Sequence, residues 1–309
     1  MVPASYRGFL SACALLGVLM ATRETRAFCR TTTCDPNDPS ATDYCQYYDN
    51  GCAANGFPLQ WKPACIAFSA QQDGSQRLGM GWKTLNGLIG SAYFNWMHAD
   101  CGAGLIPSMQ VFLRSPVYCG QVQYNTGAKE PNANIWMFRD REWSHEPTAL
   151  ALTTVTFNPK TGEIYDADVE LNSAQQDFTV GDQNVGYDLA SIVQHESGHT
   201  LGLAHAPDSD ATMYSVYSVG ETIKRDLAAD DALGICAVSP PQQDRGPCDP
   251  SPRHGFSGEC TVPATKAGGC AFARPVRTGP SAAGGLGLAL VGAWGWRRRR
   301  RRARSQAQP

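Results

Sequence analysis

Apolar residues recur along this chain with two different periods, and the places where the period changes outline its elements. Between residues 82 and 98, Leu85, Leu88, Ile89, Tyr93 and Trp96 return at helical intervals, so they share one face and predict a long amphipathic helix. Residues 66–69, 109–113 and 134–138 are short apolar and aromatic runs that read as strands. Two more strands, 150–157 and 163–171, flank Asn158-Pro159-Lys160-Thr161-Gly162, a run of turn formers that predicts a hairpin. After the polar, turn-rich stretch 181–186, Asp188 stands where a cap is needed and Leu189, Ile192 and Val193 form the apolar stripe of a second helix.

The two ends follow neither pattern. Arg7, an apolar run from Phe9 to Ala21, and the small residues Thr25 and Ala27 predict a secretory signal at 1–27 with cleavage after Ala27. A lipobox-like Leu10-Ser11-Ala12-Cys13 also occurs, but most of the apolar run lies after Cys13, which argues against lipid processing there. Residues 239–280 are rich in Pro and Gly without hydrophobic periodicity, and predict a stalk with one small disulfide loop and His254 as a solvated loop residue. The segment 281–309 is an uncharged Gly-, Ala- and Leu-rich run followed by an arginine cluster. Its apolar part makes about 24 Å of helix against the roughly 30 Å of a hydrocarbon layer, so spanning is marginal.

Composition sharpens this outline. The chain of 309 residues has room for one catalytic-sized domain besides its terminal segments. The formal net charge of −2 includes the arginine tail and a basic leader, so the body between them is acidic, and nucleic-acid binding, which needs clustered Lys and Arg, is disfavoured. Of twelve cysteines, Cys13 falls in the leader and Cys270 in the tail region. Ten remain, an even number that favours disulfides in an exported chain, with Cys101–Cys119 and Cys248–Cys260 as the local pairs to expect. A cysteine zinc site is the rival, but no C-x-x-C repeat supports it.

The chemistry is concentrated in His195-Glu196-Ser197-Gly198-His199-Thr200-Leu201-Gly202-Leu203-Ala204-His205. His195 and His199, four residues apart on a helix, project from one face one turn apart. Gly202 stands where the chain must leave the helix, in a conformation that glycine tolerates, and the turn brings His205 back towards the other two. Three imidazoles leave a fourth tetrahedral position for water, which is the arrangement of a catalytic zinc. Glu196, beside the first histidine, is the expected general base.

Eight residues past His205 stands Met213, in Ala211-Thr212-Met213-Tyr214-Ser215. With the three-histidine run this resembles the metzincin clan of zinc endopeptidases, whose motif pairs the histidines with a methionine turn beneath the metal. The short gap, and the stretch from Asp226 to Ile235 that resembles a closing helix, are most similar to the matrixin-like branch. Ala206 and Ser215 depart from that branch's usual Ser or Thr and Pro, and Ser215 also stands where other metzincins place a metal-binding tyrosine.

The resemblance implies an α+β, metzincin-like zincin fold: a twisted, mostly parallel sheet, a long helix, an HExxH zinc helix and a small C-terminal subdomain after the third histidine. It implies a catalytic domain at 61–238, preceded at 28–60 by a Cys-rich extension or short propeptide. It implies one Zn2+ on His195, His199 and His205, peptide-bond hydrolysis through a zinc-bound water with Glu196 as base, and Met213 as apolar flooring. Tyr214 and Tyr217 would shape the pocket for the residue after the cut, and an edge strand, with 149–156 the candidate, would pair with extended substrate. Asp166, Asp168 and Glu170, alternating along one strand face, are the residues that could hold Ca2+; a solvated strand face is the alternative. No match to a cysteine-switch propeptide is present, and His98 and His145 are too isolated for a second zinc site.

The partners implied are protein or peptide substrates, a signal peptidase, a sorting protease, and a membrane reached through the C-terminal segment. Gly268-Gly269-Cys270, the spacer, the apolar run and the arginine cluster resemble the C-terminal sorting signals of myxobacterial surface proteins, which implies a cut tail and a lipid on Cys270. The expected location is therefore secreted or at the cell surface, with outer-membrane anchoring through that tail. Two rivals stand beside this reading. A non-catalytic surface adhesion or matrix-binding module could retain a zinc site, although the intact Glu196 argues against it. A hydrolase of cell-wall peptide would need wall-binding repeats, and none is recognisable.

Overall fold

A computed structural model of the chain describes residues 28–34, 45–122, 124–127 and 130–261. The expected signal at 1–27, Cys270 and the tail at 281–309 lie outside the described residues. Five strands form one sheet in the order β2-β1-β3-β5-β4, where β1 is Cys65–Ala70, β2 Gln110–Leu113, β3 Ile135–Phe138, β4 Ala151–Phe157 and β5 Ile164–Leu171. All neighbours are parallel except β4, which returns antiparallel to β5 from the hairpin and so occupies an edge. A two-stranded pair, β6 (Phe178–Thr179) and β7 (Tyr187–Asp188), stands before the second helix. Among the described residues, three α-helices complete the α+β fold: α1 (Trp82–Met97), α2 (Leu189–Leu201) and α3 (Ala229–Val238). Among the described residues no helix is long and apolar enough to cross a membrane.

The main core lies between the sheet and helices α1 and α2. From α1 it takes Leu85, Ile89, Ala92, Tyr93 and Trp96, with Leu88 packed half-buried at its margin. Phe68 of β1 stacks on Tyr93 with ring centroids 4.7 Å apart, and Trp136 of β3 meets Tyr93 edge-on. Burying each such side chain contributes about 1.5–3 kcal/mol, so this aromatic layer holds α1 to the sheet. The two helices are then joined by polar atoms. Trp96 Nε1 donates to the Gln194 carbonyl and to Ser197 Oγ at 3.0 and 2.9 Å, and Tyr93 Oη lies 2.8 Å from Thr200 Oγ1. Close approach requires Gly198, because a Cβ there would lie 2.3 Å from Met213 Sδ and 2.9 Å from Trp96 Cζ2.

The other face of the sheet carries a smaller cluster of Val117, Ala133, Ile135, Met137 and Cys260. Part of its cover comes from the segment expected to begin a stalk. Residues 239–261 are sewn to the body instead: Arg245 Nη1 donates to the Trp61 carbonyl at 2.7 Å, Cys248 is bonded to Cys65 of β1, and Asn132 exchanges backbone bonds with Gly255 and Ser257. His254 is half-buried there, not a solvated loop histidine.

The extension before β1 is equally integrated. Thr31 N donates to Gly202 O and Ala204 N donates to Cys29 O, both at 3.0 Å, so residues 29–31 lie along the chain that leaves α2. Leu59 N donates to Thr31 O at 2.8 Å, Trp61 Nε1 donates to Thr200 O at 2.7 Å, and both Leu59 and Trp61 are buried in the main core.

The ten described cysteines form Cys29–Cys52, Cys34–Cys45, Cys65–Cys248, Cys101–Cys236 and Cys119–Cys260. The expected local pairs Cys101–Cys119 and Cys248–Cys260 are therefore wrong. Cys101, in the loop after α1, is bonded to α3, and Cys119 meets Cys260 on the far face of the sheet, partners 135 and 141 residues apart. Replacing Cys119 and Cys260 together with Ala should lower the unfolding free energy by about 2–4 kcal/mol in urea titrations. Peptide mapping of the oxidised chain should recover Cys119–Cys260; recovery of Cys101–Cys119 would overturn the assignment.

Candidate active site

Helix α2 begins at a firmly tied N-cap. Asp188 Oδ2 accepts from Ser191 N and Oγ, each at 2.8 Å, and the carboxylate also takes two bonds from the Arg225 guanidinium at 2.8 and 2.9 Å. Burial alone would raise its pKa, but the bonds from Arg225 and Ser191 outweigh it and leave Asp188 below the usual carboxylate range. From this anchor the helix carries His195 and His199 one turn apart, with their Nε2 atoms 3.0 Å from each other. It ends at Gly202, whose φ of 103° turns the chain back. A side chain there would be strained in that conformation, and its Cβ would lie 2.6 Å from the Leu59 carbonyl. His205 then comes to the same point in space.

The geometry at that point fits a metal ion. His199 Nε2 lies 3.0 Å from His195 Nε2 and 3.2 Å from His205 Nε2. Nitrogens around a tetrahedral zinc at about 2.0–2.1 Å stand roughly 3.3 Å apart, so the spacing is that of a shared ion. The other ring nitrogens are already committed, since His195 Nδ1 pairs with the Thr212 carbonyl at 2.7 Å and His199 Nδ1 with the Leu203 carbonyl at 2.9 Å. That tautomer points the Nε2 lone pairs at one another, a repulsive arrangement that a cation between them relieves. Burial first, and the neighbouring imidazoles second, hold the pKa of His195 well below its ordinary value and that of His205 down at about 4, so both are neutral at pH 7, the form that ligates. Among the described residues these histidines are the one group of three or more His, Cys, Asp or Glu that could share an ion. His195 is buried, His199 half-buried and His205 exposed, so the centre is open to solvent on one side.

Glu196 lies beside this centre, almost fully buried. Its Oε2 accepts a 2.6 Å bond from Thr153 Oγ1 of β4. Burial raises its pKa to about 7, the Thr153 bond pulling the other way, and a cation held by the histidines would further favour the ionised form.

Beneath the histidines the chain returns through Met213, which is buried against Gly198. Its carbonyl accepts from Ala206 N at 2.9 Å, which ties the turn to the residue after His205. Asp231, near the start of α3, holds the same turn: its carboxylate accepts from Thr212 N at 2.7 Å, Met213 N at 3.1 Å and Ala228 N at 2.9 Å. A continuous path thus runs from Asp231 through the Thr212 peptide to His195. Tyr217 stands edge-on to His195 with ring centroids 5.5 Å apart, whereas Tyr214 lies further out, half-buried. Both rings face the ammonium of Lys224, which is buried, donates to the Val216 carbonyl at 2.8 Å and pairs with Glu221.

Thr153, Lys224, Arg225 and Asp231 were not singled out by sequence reasoning. Only Asp231 had a visible signal, an acidic pair at the start of a helix. The acids of β5 correct the expectation of a solvated strand face. Asp166, Asp168 and Glu170 are buried and so form no solvated face. Glu170 pairs with Arg139 and with His145 Nε2 at 3.1 Å, and Asp168 accepts from Ile135 N at 2.8 Å. Burial first, and the adjacent Asp168 second, push the pKa of Asp166 above the usual carboxylate range.

Residues 137–238 match the family model described as Matrixin. Over these residues the chain is similar to matrixins. Within a 73-residue match, 22% of this chain, it is 42% identical to human neutrophil collagenase, covering 16% of that protein. Human matrix metalloproteinase-20 is 35% identical over 82 residues, 26% of this chain and 16% of the relative. Metalloendoproteinase 4-MMP of Arabidopsis thaliana is 34% identical over 89 residues, 28% of this chain and 24% of the relative. The chain thus spans no more than about a quarter of the length of these relatives. The matched residues run from within β3 to the end of α3, and so include the histidines, Glu196, Thr153 and Asp231.

Asp231→Ala removes the acceptor of three backbone N–H groups and loosens the peptide that orients His195. Chelator competition should show zinc affinity weakened about 10- to 100-fold, the usual size for a group that orients a ligand. Unchanged affinity would mean that the Thr212 peptide is held without it.

Proposed function

We propose that this chain is a zinc-dependent endopeptidase of matrixin type that hydrolyses internal peptide bonds of extended polypeptides. The observation that carries the reading is the convergence of three imidazole Nε2 atoms, open to solvent at His205, with the buried Glu196 next to the first of them in the chain. When bound, zinc supplies Lewis acidity, which acidifies a water and polarises a carbonyl.

The chain's own residues do the rest. Edge strand β4 offers an unpaired backbone edge on which a substrate adds as a further strand, which places one peptide bond at the histidines. Glu196 takes a proton from the attacking water and returns it to the departing amine nitrogen. Tyr217, against His195, walls the space for the side chain that follows the cut. The N-terminal extension belongs to the catalytic body in this reading, because its backbone bonds brace the loop that carries His205, and its removal is not a step in activation.

Five disulfides suit an oxidising compartment, and with the leader-like residues 1–27 they favour secretion. Surface anchoring through 281–309, with Cys270 as a lipid site, belongs to the same proposal and rests on the sequence alone.

Glu196→Ala should retain about one zinc per chain and lose about 10²- to 10⁴-fold in kcat/KM on casein and fluorogenic peptides. Chelation should abolish wild-type turnover and added zinc restore it. Normal cleavage by the Glu196 variant would sink the mechanism; zinc binding with no cleavage by the wild type would favour an adhesion or matrix-binding module.

A further inference from the structure

We propose that Thr153 is a positioning residue for Glu196, coupling the edge strand on which substrate pairs to the carboxylate that moves the proton; this rests on the endopeptidase reading. Along β4, side chains alternate between the two faces of the sheet, and Ala151 and Val155 pack against the main core. Thr153 lies between them on the same face, a hydroxyl in an otherwise apolar row, and a hydroxyl at such a place needs a hydrogen-bond partner. It donates to Glu196 Oε2 at 2.6 Å. The bond occupies one carboxylate oxygen and leaves the other for a water, so the plane of the carboxylate is set by the strand and not by free rotation of the glutamate.

Two features make this hold rigid. A β-branched side chain has a stiff χ1, so the Thr153 hydroxyl follows the backbone of β4. That backbone is in turn registered against β5, with Thr153 opposite Val169. Substrate added to the free edge of β4 would order the same strand, and with it the glutamate. Valine, the isostere, would fill the space and omit the bond, whereas serine would keep the bond in a looser form.

The test compares the full zinc-loaded chain with Thr153→Val and Thr153→Ser in two readouts. In the first, kcat on a fluorogenic peptide should fall about 10- to 100-fold in the valine variant with KM and zinc content unchanged, and serine should recover most of the loss. The second does not depend on turnover: calorimetric binding of a simple peptide hydroxamic acid, which must give up its proton as it binds, should weaken in the valine variant and recover with serine. An unchanged kcat in the valine variant, a loss in KM alone, or a serine variant as poor as valine would overturn the proposal. If the wild type cleaves nothing yet hydroxamate binding follows this order, the endopeptidase reading fails and the positioning role stands.

Discussion

Three imidazole lone pairs directed at one point repel one another, and much of the domain can be understood as the means of holding them there. A single helix can present two such groups at i and i+4 without help from elsewhere. The third must arrive from outside the helix, which is why the left-handed turn at Gly202 matters and why that turn is pressed against the Leu59 carbonyl. Orientation is a separate problem from arrival. It is solved by backbone carbonyls of Thr212 and Leu203, which take up Nδ1 of His195 and His199, and by Asp231, which holds the Thr212 peptide in place. None of these groups touches the ion position, yet each restricts where a ligand atom can point.

The same close packing surrounds Glu196. Trp96 and Met213 both press on α2 at Gly198, where the helix has no side chain, and this lets the helix sit deep against α1 and the returning chain. Glu196 is buried as a result. A buried carboxylate is costly to ionise: burial raises the pKa of Glu196 to about 7, and the Thr153 bond pulls the other way.

Covalent ties carry the parts of the fold that lack a large core. The segments before β1 and after α3 contain little regular structure among the described residues, and four of the five disulfides fasten them. Two close loops within the extension, and two join the chain after residue 239 to β1 and to the loop bearing Cys119. The fifth fixes the end of α1 to α3, and so couples the sheet-side helix to the helix that bears Asp231.

The sequence by itself determined the elements and the grouping of the three histidines. The stripe Leu189, Ile192 and Val193, the cap Asp188, the His195–His199 spacing and the glycine at 202 are local patterns, each decided within a turn or two of chain, and the structure has α2 and the convergence of His195, His199 and His205 where those patterns put them. The hairpin β4–β5 was legible for the same reason, since its turn lies between its strands. Only the tertiary structure decided which cysteines pair, that residues 239–261 close over the sheet, that Asp166, Asp168 and Glu170 face inward, and that Thr153 meets Glu196. Each of those depends on a surface assembled from distant parts of the chain: Cys119 and Cys260 stand 141 residues apart, and Thr153 and Glu196 are separated by 43. Spacing along a sequence carries information only over the few residues a helix or hairpin brings together, and contacts beyond that range exist only once the sheet has formed.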